Sequence, residues 1–426
     1  MFLLKAVILA AGLGYRLKPL TETRPKPMLE IAGKPLLQYV IEGLRENLIK
    51  DILIVVGYKR EVIEDYFEFG DKFNVKIEYV LQDKALGVED AILRTKEKMK
   101  TEEEFLVIHA DVLADPELIG RTIETFRDLN ADATISATLV ENPQLYGVVV
   151  FSEDSRLEYI VEKPKPGESP SNYAVAGVYV FKNNIFDLLK SEKTLDAAIR
   201  KLAQKGEVYV SVWEKEWVEI RYPWDILKAN RLVLSKMLKG KGSFIAESAS
   251  IDNGAKIEGP VWISDNAKIR SGSTIKGPCY IGENSYIGNN ALIREFVSIG
   301  NDVIVGFGVE LKNSVIFDGT KIGRLSFIGD SVLGENVDVG AGTQTWNVSP
   351  RSEPIYMNIE GEKVRVPMEK FGAVIGDNTR ISINVSILPG KIIGTNVDIS
   401  PGVIVDRDIP SNTDVYAKQE VVVKPK

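Results

Sequence analysis

The sequence predicts two architectures in tandem: an α/β domain built on a mostly parallel sheet, then a parallel β-helix made of hexapeptide repeats. Three observations predict this. Short apolar runs alternate with amphipathic helical patterns from the N-terminus to about Leu238. The first of those runs, Leu4–Ala10, breaks into a turn at Gly12 and Gly14 with Arg16 just beyond. From Ile251 onward an apolar residue recurs at every sixth position.

In the first half, Leu4–Ala10, Asp51–Gly57, Val75–Leu81 and Phe105–His109 read as strands. Helical patterns lie between them near Leu36–Asn47, Glu61–Phe69 and Val88–Lys98. Such β-α-β alternation implies a parallel sheet with helices on both faces. Ligands then bind beyond the carboxyl ends of the strands, where the glycine turn and Asp111 both fall. A last helix opens at Pro223 and runs to Lys239, and Gly240-Lys241-Gly242 forms a hinge. The expected domains are therefore 1–240 and 241–426.

The second half has a different texture. Positions 251, 257, 263, 269, 275, 281, 287, 293 and 299 are all isoleucine, followed by Val305 and Leu311, with Gly, Asn and Ser between. After a frame slip the pattern resumes at Ile322, Ile328, Leu333 and Val339, and it returns from Ile375 to Val405. A period of six fits neither a helix nor an amphipathic strand; it is the repeat of a β-helix whose coils are triangles of short strands. The period-six residue should point inward and stack on its equivalent three hexads later. Residues 345–372 interrupt the repeat with a polar excursion, Trp346 to Phe371, expected as a loop projecting from one coil. A short tail closes the chain.

Composition narrows the function. At 426 residues the chain exceeds one ordinary core. A net charge of −7 argues against a general nucleic-acid or anionic-membrane surface, so any phosphate site must be a local concentration of Arg and Lys. A single cysteine, Cys279, excludes an internal disulfide and a clustered thiolate metal site, and fits a reducing compartment. The N-terminal apolar run is a strand rather than a secretion signal, and no run approaches the ~20 residues of a membrane span. A cytoplasmic location is expected.

The glycine turn carries the first chemistry. Glycines at 12 and 14 can take φ > 0 and let backbone N–H groups approach an anion. Arg16 and Lys26 supply fixed and mobile positive charge for phosphate oxygens, and the prolines flanking Lys26 suggest a held position. The run Ala10-Ala11-Gly12-x-Gly14-x-Arg16-Leu17, then Arg24-Pro25-Lys26-Pro27 and Gly33-Lys34-Pro35, resembles the signature of sugar-1-phosphate nucleotidyltransferases. That resemblance implies a Rossmann-like nucleotidyltransferase domain and a left-handed β-helix. Motifs carry it across roughly residues 5–230, and it continues to about residue 405.

The resemblance assigns residues. Ala11, Gly12 and Gly14 would hold the nucleotide phosphates, with Arg16 and Lys26 catalytic. Gln82 and Gly87 would read the base; a glutamine amide offers one donor and one acceptor, matching the imide edge of uracil or thymine. Asp111 would hold Mg²⁺, a hard ion that prefers oxygen ligands. The family's second metal carboxylate falls on Glu219, where the family has aspartate, and its glycine has become Arg221. Gly147, Glu162, Lys163, Asn172 and Val175 match segments that hold the sugar phosphate. The lone histidine, His109, reads as a satisfied core residue.

The activity implied is Mg²⁺-dependent nucleotidyl transfer from UTP or dTTP to a sugar 1-phosphate, releasing pyrophosphate. In the bifunctional relatives the β-helix also transfers an acetyl group and uses a histidine base. Here the corresponding segment, Lys321–Ser331, has Arg324 for the base and Phe327 for a tyrosine, although Asn347 matches. Acetyltransfer is therefore expected to be absent, leaving the β-helix for assembly, as a homotrimer or larger. Two alternatives stand beside this reading. Val88, Ala110, Glu219 and Arg221 favour a weakly catalytic, nucleotide-sugar-binding regulatory subunit; the other is a bifunctional enzyme that retains acetyltransfer through another base.

Overall fold

A computed structural model describes residues 4–349 and 353–425. They form two compact units. One comprises the residues up to Leu13, Arg24–Met28 and Pro35–Glu219; the other comprises Gly14–Thr23, Leu29–Lys34 and everything from Ile220 onward.

The first unit is built on strands β1 (Lys5–Leu9), β2 (Asp51–Val56), β3 (Lys76–Leu81), β4 (Glu104–His109), β5 (Val112–Ala114), β6 (Ala133–Leu139), β7 (Gly147–Phe151), β8 (Leu157–Glu162), β9 (Tyr173–Lys182), β10 (Val208–Trp213) and β11 (Trp217–Glu219). Its helices are α1 (Leu36–Glu46), α2 (Arg60–Phe67), α3 (Val88–Leu93), α4 (Glu117–Asp128), α5 (Ile185–Ser191) and α6 (Leu195–Ala203). The main sheet runs β8-β7-β9-β4-β1-β2-β3, with β6 pairing both β9 and β10. Strands β1 to β4 are parallel to one another, whereas β9 runs antiparallel to β4, β6 and β7. The sheet is buried on both faces: Ile8, Ile54 and Ile108 enter one core, Val7, Val55 and Val107 the other. That is why these strands read as unbroken apolar runs rather than alternating ones. The helix expected over Val88–Lys98 ends at Leu93. Beyond it the Thr95 hydroxyl donates to the Ile92 carbonyl (2.7 Å) and the chain continues in turns.

The second unit contains the β-helix: three parallel sheets of eight, nine and eight strands. Each apolar hexad residue stacks on its equivalent one coil later: Ile251 on Ile269, Ile269 on Ile287, Ile263 on Ile281. These coils are 18 residues long, three hexads, as the left-handed repeat requires. The frame slip is two consecutive coils of 17 residues, in which Ile299 pairs with Ile316 and Ile316 with Leu333. Both lost residues fall at one corner, at Asn313 and Asp330, which adopt positive φ there. Helix α7 (Pro223–Leu238), expected as the last element of the first domain, packs within this unit; Asn230 donates to the Phe296 carbonyl at 2.9 Å.

The excursion over 345–372 differs from a plain loop; within it residues 350–352 lie outside the described residues. Tyr356–Ile359 and Glu362–Arg365 form an antiparallel hairpin. Glu360 and Gly361 at its tip both have positive φ, 52° and 87°, the geometry that a two-residue hairpin turn demands. Ile355, Met357 and Ile359 are buried, a period-two signal the polar composition hid. No helix among the described residues is long and apolar enough to cross a membrane.

Candidate active site

Three strand ends converge in the first unit: Ala11 after β1, Gly57 after β2 and Gln82 after β3. A Cβ on Gly57 would sit 2.9 Å from the Gln82 carbonyl oxygen and 3.0 Å from the Ala11 Cβ, so glycine is what allows the approach. Ala11 is buried and Gly12 exposed. Gln82 is buried, and its Nε2 donates to the Gly87 carbonyl (3.0 Å) and to Asp90 Oδ2 (2.8 Å). Sequence reasoning gave this amide both a donor and an acceptor role toward the base. In the fold its donors are spent on the Gly87 loop, and the acceptor Oε1 is what it has to offer. Gly87, at φ 105°, turns the chain into α3.

The charged centre lies at the end of β4. Lys26 Nζ donates to Asp111 Oδ2, with both side chains four-fifths buried. The second oxygen, Asp111 Oδ1, is buried with no hydrogen-bond partner. Burial pushes this carboxyl up, but the Lys26 ammonium, through its charge and its hydrogen bond, outweighs it and holds it below the ordinary carboxylate range. Asp111 is thus an anion with one free oxygen. The short pair β5–β11 places Glu219 directly opposite Val112, the residue after Asp111. A pairing 107 positions apart in sequence is made by a ladder of three residues.

Mg²⁺ needs one or two carboxylates and fills its remaining positions with water and substrate oxygens. An unpartnered buried Asp111 oxygen with Glu219 on the adjoining strand fits that donor set. No group of three or more metal-binding side chains occurs among the described residues, so a closed all-protein cage is not what this site offers.

The sugar-phosphate residues also meet. Gly147 and Glu162 are cross-strand partners on β7 and β8. A Cβ on Gly147 would lie 2.9 Å from Glu162 Oε2 and 3.5 Å from Val175 Cγ2, so this glycine leaves the space between them. Lys163 pairs with Glu162 at 3.0 Å, both about half exposed, and its backbone takes a φ of 44° that a lysine rarely adopts. The Asn172 carbonyl accepts from Val140 N–H (2.9 Å), which fixes the entry to β9. Tyr146 meets Trp217 edge-on at 5.6 Å, and the Trp217 indole donates to the Ala176 carbonyl (3.0 Å).

Two of the sequence-predicted residues, Gly14 and Arg16, belong to the second unit. Gly14 adopts φ 65° and opens the turn carrying Arg16. Arg16 Nε is 3.8 Å from Glu360 Oε2 at the hairpin tip, and the guanidinium lies over the Tyr222 ring at 5.8 Å. Arg221 is buried, and its N–H donates to Asp225 (3.1 Å).

Sequence reasoning missed His109. It was expected to be a satisfied core residue, yet its Nε2 is buried without a partner. Burial lowers its pKa, which keeps the ring neutral. The signal was available: His109 and Asp111 are two apart at a strand end, so they share a face. Tyr179, whose ring lies 5.8 Å from His109, is the other member; burial and then the Glu162 and Glu219 charges push its hydroxyl pKa far up. Only the fold brings it there.

A parallel sheet with a glycine turn after its first strand, and a half-satisfied aspartate after its fourth, defines an α/β enzyme that handles phosphate groups. Residues 5–236 match the nucleotidyl transferase family, and the chain belongs to it. Residues 275–371 also match the GMPPB C-terminal domain. The bifunctional protein GlmU of Methanococcus maripaludis is 38% identical over 99% of each chain. A bifunctional sugar-1-phosphate nucleotidylyltransferase/acetyltransferase of Sulfurisphaera tokodaii is also 38% identical, over 95% of this chain and 98% of its own. Among solved structures, a UDP-glucose pyrophosphorylase from Acinetobacter baumanii aligns with TM-score 0.51 at 26% identity, covering 56% of this chain and 95% of that one. The protein is a nucleotidyltransferase.

Proposed function

We propose that the protein transfers a nucleotidyl group from UTP or dTTP to a sugar 1-phosphate, with Mg²⁺, in residues 1–240, and assembles as a homotrimer or larger through residues 241–426. The observation that carries the reading is Asp111, held on one oxygen by Lys26 and open on the other, with Glu219 on the neighbouring strand. A sugar-phosphate oxygen attacks the α-phosphorus in line; the bond to the β-phosphate oxygen breaks and pyrophosphate leaves with the electron pair. A phosphate monoester has a second pKa of about 6, so the nucleophile is already an anion near neutrality and no general base is required. What remains is to align two anions and offset their repulsion.

Bound between Asp111 and Glu219, Mg²⁺ would supply positive charge against the α-phosphate. Lys26 brings a cation whose position Asp111 fixes, and Arg16 a second for the triphosphate. Gly147, Glu162 and Val175 shape the sugar side, with Glu162 accepting from hydroxyls and Lys163 facing the phosphate. Gln82 Oε1 accepts from the N3–H of the pyrimidine. That hydrogen is common to uracil and thymine, which is why both nucleotides stay in the proposal.

Pyrophosphate release with UTP, dTTP, ATP and GTP against several sugar phosphates tests this. Release with a pyrimidine nucleotide is expected. Nucleotide-sugar binding without release in any combination would favour a regulatory subunit instead. Light scattering should give at least three times the 47.2 kDa chain mass.

For acetyltransfer, the relatives' names include it, but this chain's own residues speak against it. Arg324 is a donor-only side chain with no lone pair to offer as a base, and Phe327 has no hydroxyl. Asn347 Nδ2 is committed to Asp330 at 2.6 Å. Acetyl-CoA with glucosamine 1-phosphate should show no consumption.

A further inference from the structure

One carboxylate of the first unit faces two claimants. Lys26, His109, Asp111 and Glu219 all belong to that unit. Asp111 Oδ2 accepts from the Lys26 ammonium, while Asp111 Oδ1 and His109 Nε2 are buried without partners. Mg²⁺ takes near-octahedral geometry and keeps several waters, so it needs room around any oxygen it binds. An enclosed oxygen beside an ammonium offers neither room nor a favourable field, because two cations on one carboxylate repel. Either Asp111 or Lys26 must give way. The backbone at Lys26 is held: Pro25, Pro27 and Met28 are buried, and the Met28 N–H closes a turn on the Pro25 carbonyl (2.9 Å). The two prolines fix their own φ, and Met28 enters the same core as Ile8 and Ile108. Asp111 has a one-carbon stem and lies between β4 and β5, each paired to another strand. The Lys26 side chain is the mobile partner: a flexible four-carbon stem, 16% exposed, with a route to solvent.

We infer that Lys26 competes with the divalent metal for Asp111: its ammonium neutralises the buried carboxylate, yields it to the metal, and swings to the nucleotide phosphates. The inference rests on the function proposed above, which gives Asp111 to Mg²⁺ and Lys26 to the triphosphate. Asp111 fixes where that cation starts, and the nucleotide gives it an anion to move to. Metal alone must displace the ammonium with no new partner for it; metal with nucleotide need not. Metal and nucleotide therefore bind cooperatively, each raising the affinity for the other.

Mn²⁺ binding to the full chain without nucleotide, followed by electron paramagnetic resonance, tests the competition without any turnover. Lys26→Met should bind Mn²⁺ at least about tenfold more tightly than the native chain, the scale of one charged hydrogen bond. Adding Asp111→Asn to Lys26→Met should abolish that gain, and Lys26→Arg, which keeps the cation, should not show it. A second measurement needs no variant: acylation of lysines in the native chain, read residue by residue by mass spectrometry. Lys26 should be modified several-fold faster with saturating Mn²⁺, and slowly again once UTP or dTTP joins the metal. Equal Mn²⁺ affinity in the native chain and in folded Lys26→Met would overturn the inference. So would a gain that survives Asp111→Asn, or a Lys26 acylation rate indifferent to Mn²⁺. Failure of the functional reading shows in a different arm, as no pyrophosphate release by the native chain with any nucleotide. It would also remove the swing to phosphates, leaving Lys26 acylation in Mn²⁺ unchanged by nucleotide.

Discussion

Two acidic residues of this molecule, one in each unit, have their oxygens treated in opposite ways. Asp330, in the β-helix, has both oxygens filled: Oδ1 accepts from Asn313 (2.7 Å), Oδ2 from Asn347 (2.6 Å), and Lys312 stands 3.5 Å away. Asp111, in the α/β unit, has one oxygen on Lys26 and the other on nothing. An unsatisfied buried acceptor costs roughly 1–3 kcal/mol, so a fold keeps one where a ligand will fill it. Asp330 stabilises its own coil; Asp111 keeps an open oxygen, the one that the proposed function gives to Mg²⁺.

The largest effect that would break this comparison is on turnover. Asp111→Asn should lower pyrophosphate release by roughly 10²–10³-fold, the usual scale for removing one electrostatic contact from a transition state, while the protein still melts cooperatively. Asn347→Ala should do the reverse. It strips one donor from a buried carboxylate, so stability should fall by roughly 1–3 kcal/mol in a denaturant titration with turnover unchanged. If both variants lose activity alike, the two carboxylates are not different in kind.

A smaller effect sharpens the sugar side. Gly147→Ala puts a methyl 2.9 Å from Glu162 Oε2, so the Glu162 side chain must turn away. The KM for sugar phosphate should rise roughly tenfold, about the cost of one hydrogen bond to a charged group, with the nucleotide KM unmoved. Chemistry at the β-helix core should be silent: burial pushes the Cys279 thiol up to about 12, so a thiol reagent at pH 8 should label it only after unfolding.

The smallest effect concerns acid stability. Lys98 and Lys76, hydrogen-bonded to Glu78, hold its carboxyl down at about 2, against an ordinary value of 4.5. A depressed carboxyl stabilises the fold above its unfolded pKa. That contribution should fade as pH falls from about 4.5 to about 2. Glu78→Gln should be less stable than wild type at pH 6, and the gap should close toward pH 2.

Much of this was legible in the sequence because it is periodic or local. The isoleucine ladder from Ile251 needs only counting, and β1 to β4 announce themselves as apolar runs. The motif residues Lys26, Asp111 and Glu162 are named by their neighbours. What was hidden depends on pairing between distant segments. Glu219 stands opposite Val112, the residue after Asp111, only because three residues of β11 pair with β5. The Gln82 donors were spent on Gly87 and Asp90 by the curl of a loop. The hairpin at Glu360 was masked because its apolar residues, Ile355, Met357 and Ile359, are diluted among charges. His109 was misread because a lone histidine on a strand looks the same whether or not its nitrogen finds a partner.

The paired 17-residue coils have one more consequence. Both shortenings and the root of the long hairpin excursion occupy the same edge of the triangular prism, where Asn313, Asp330 and Asn347 form a vertical rung system through consecutive layers. The other two edges keep strict spacing through those layers. This solenoid therefore confines its length variation to a single seam, riveted by an amide–carboxylate–amide stack. Engineered inserts should be tolerated along that seam and should disrupt winding anywhere else.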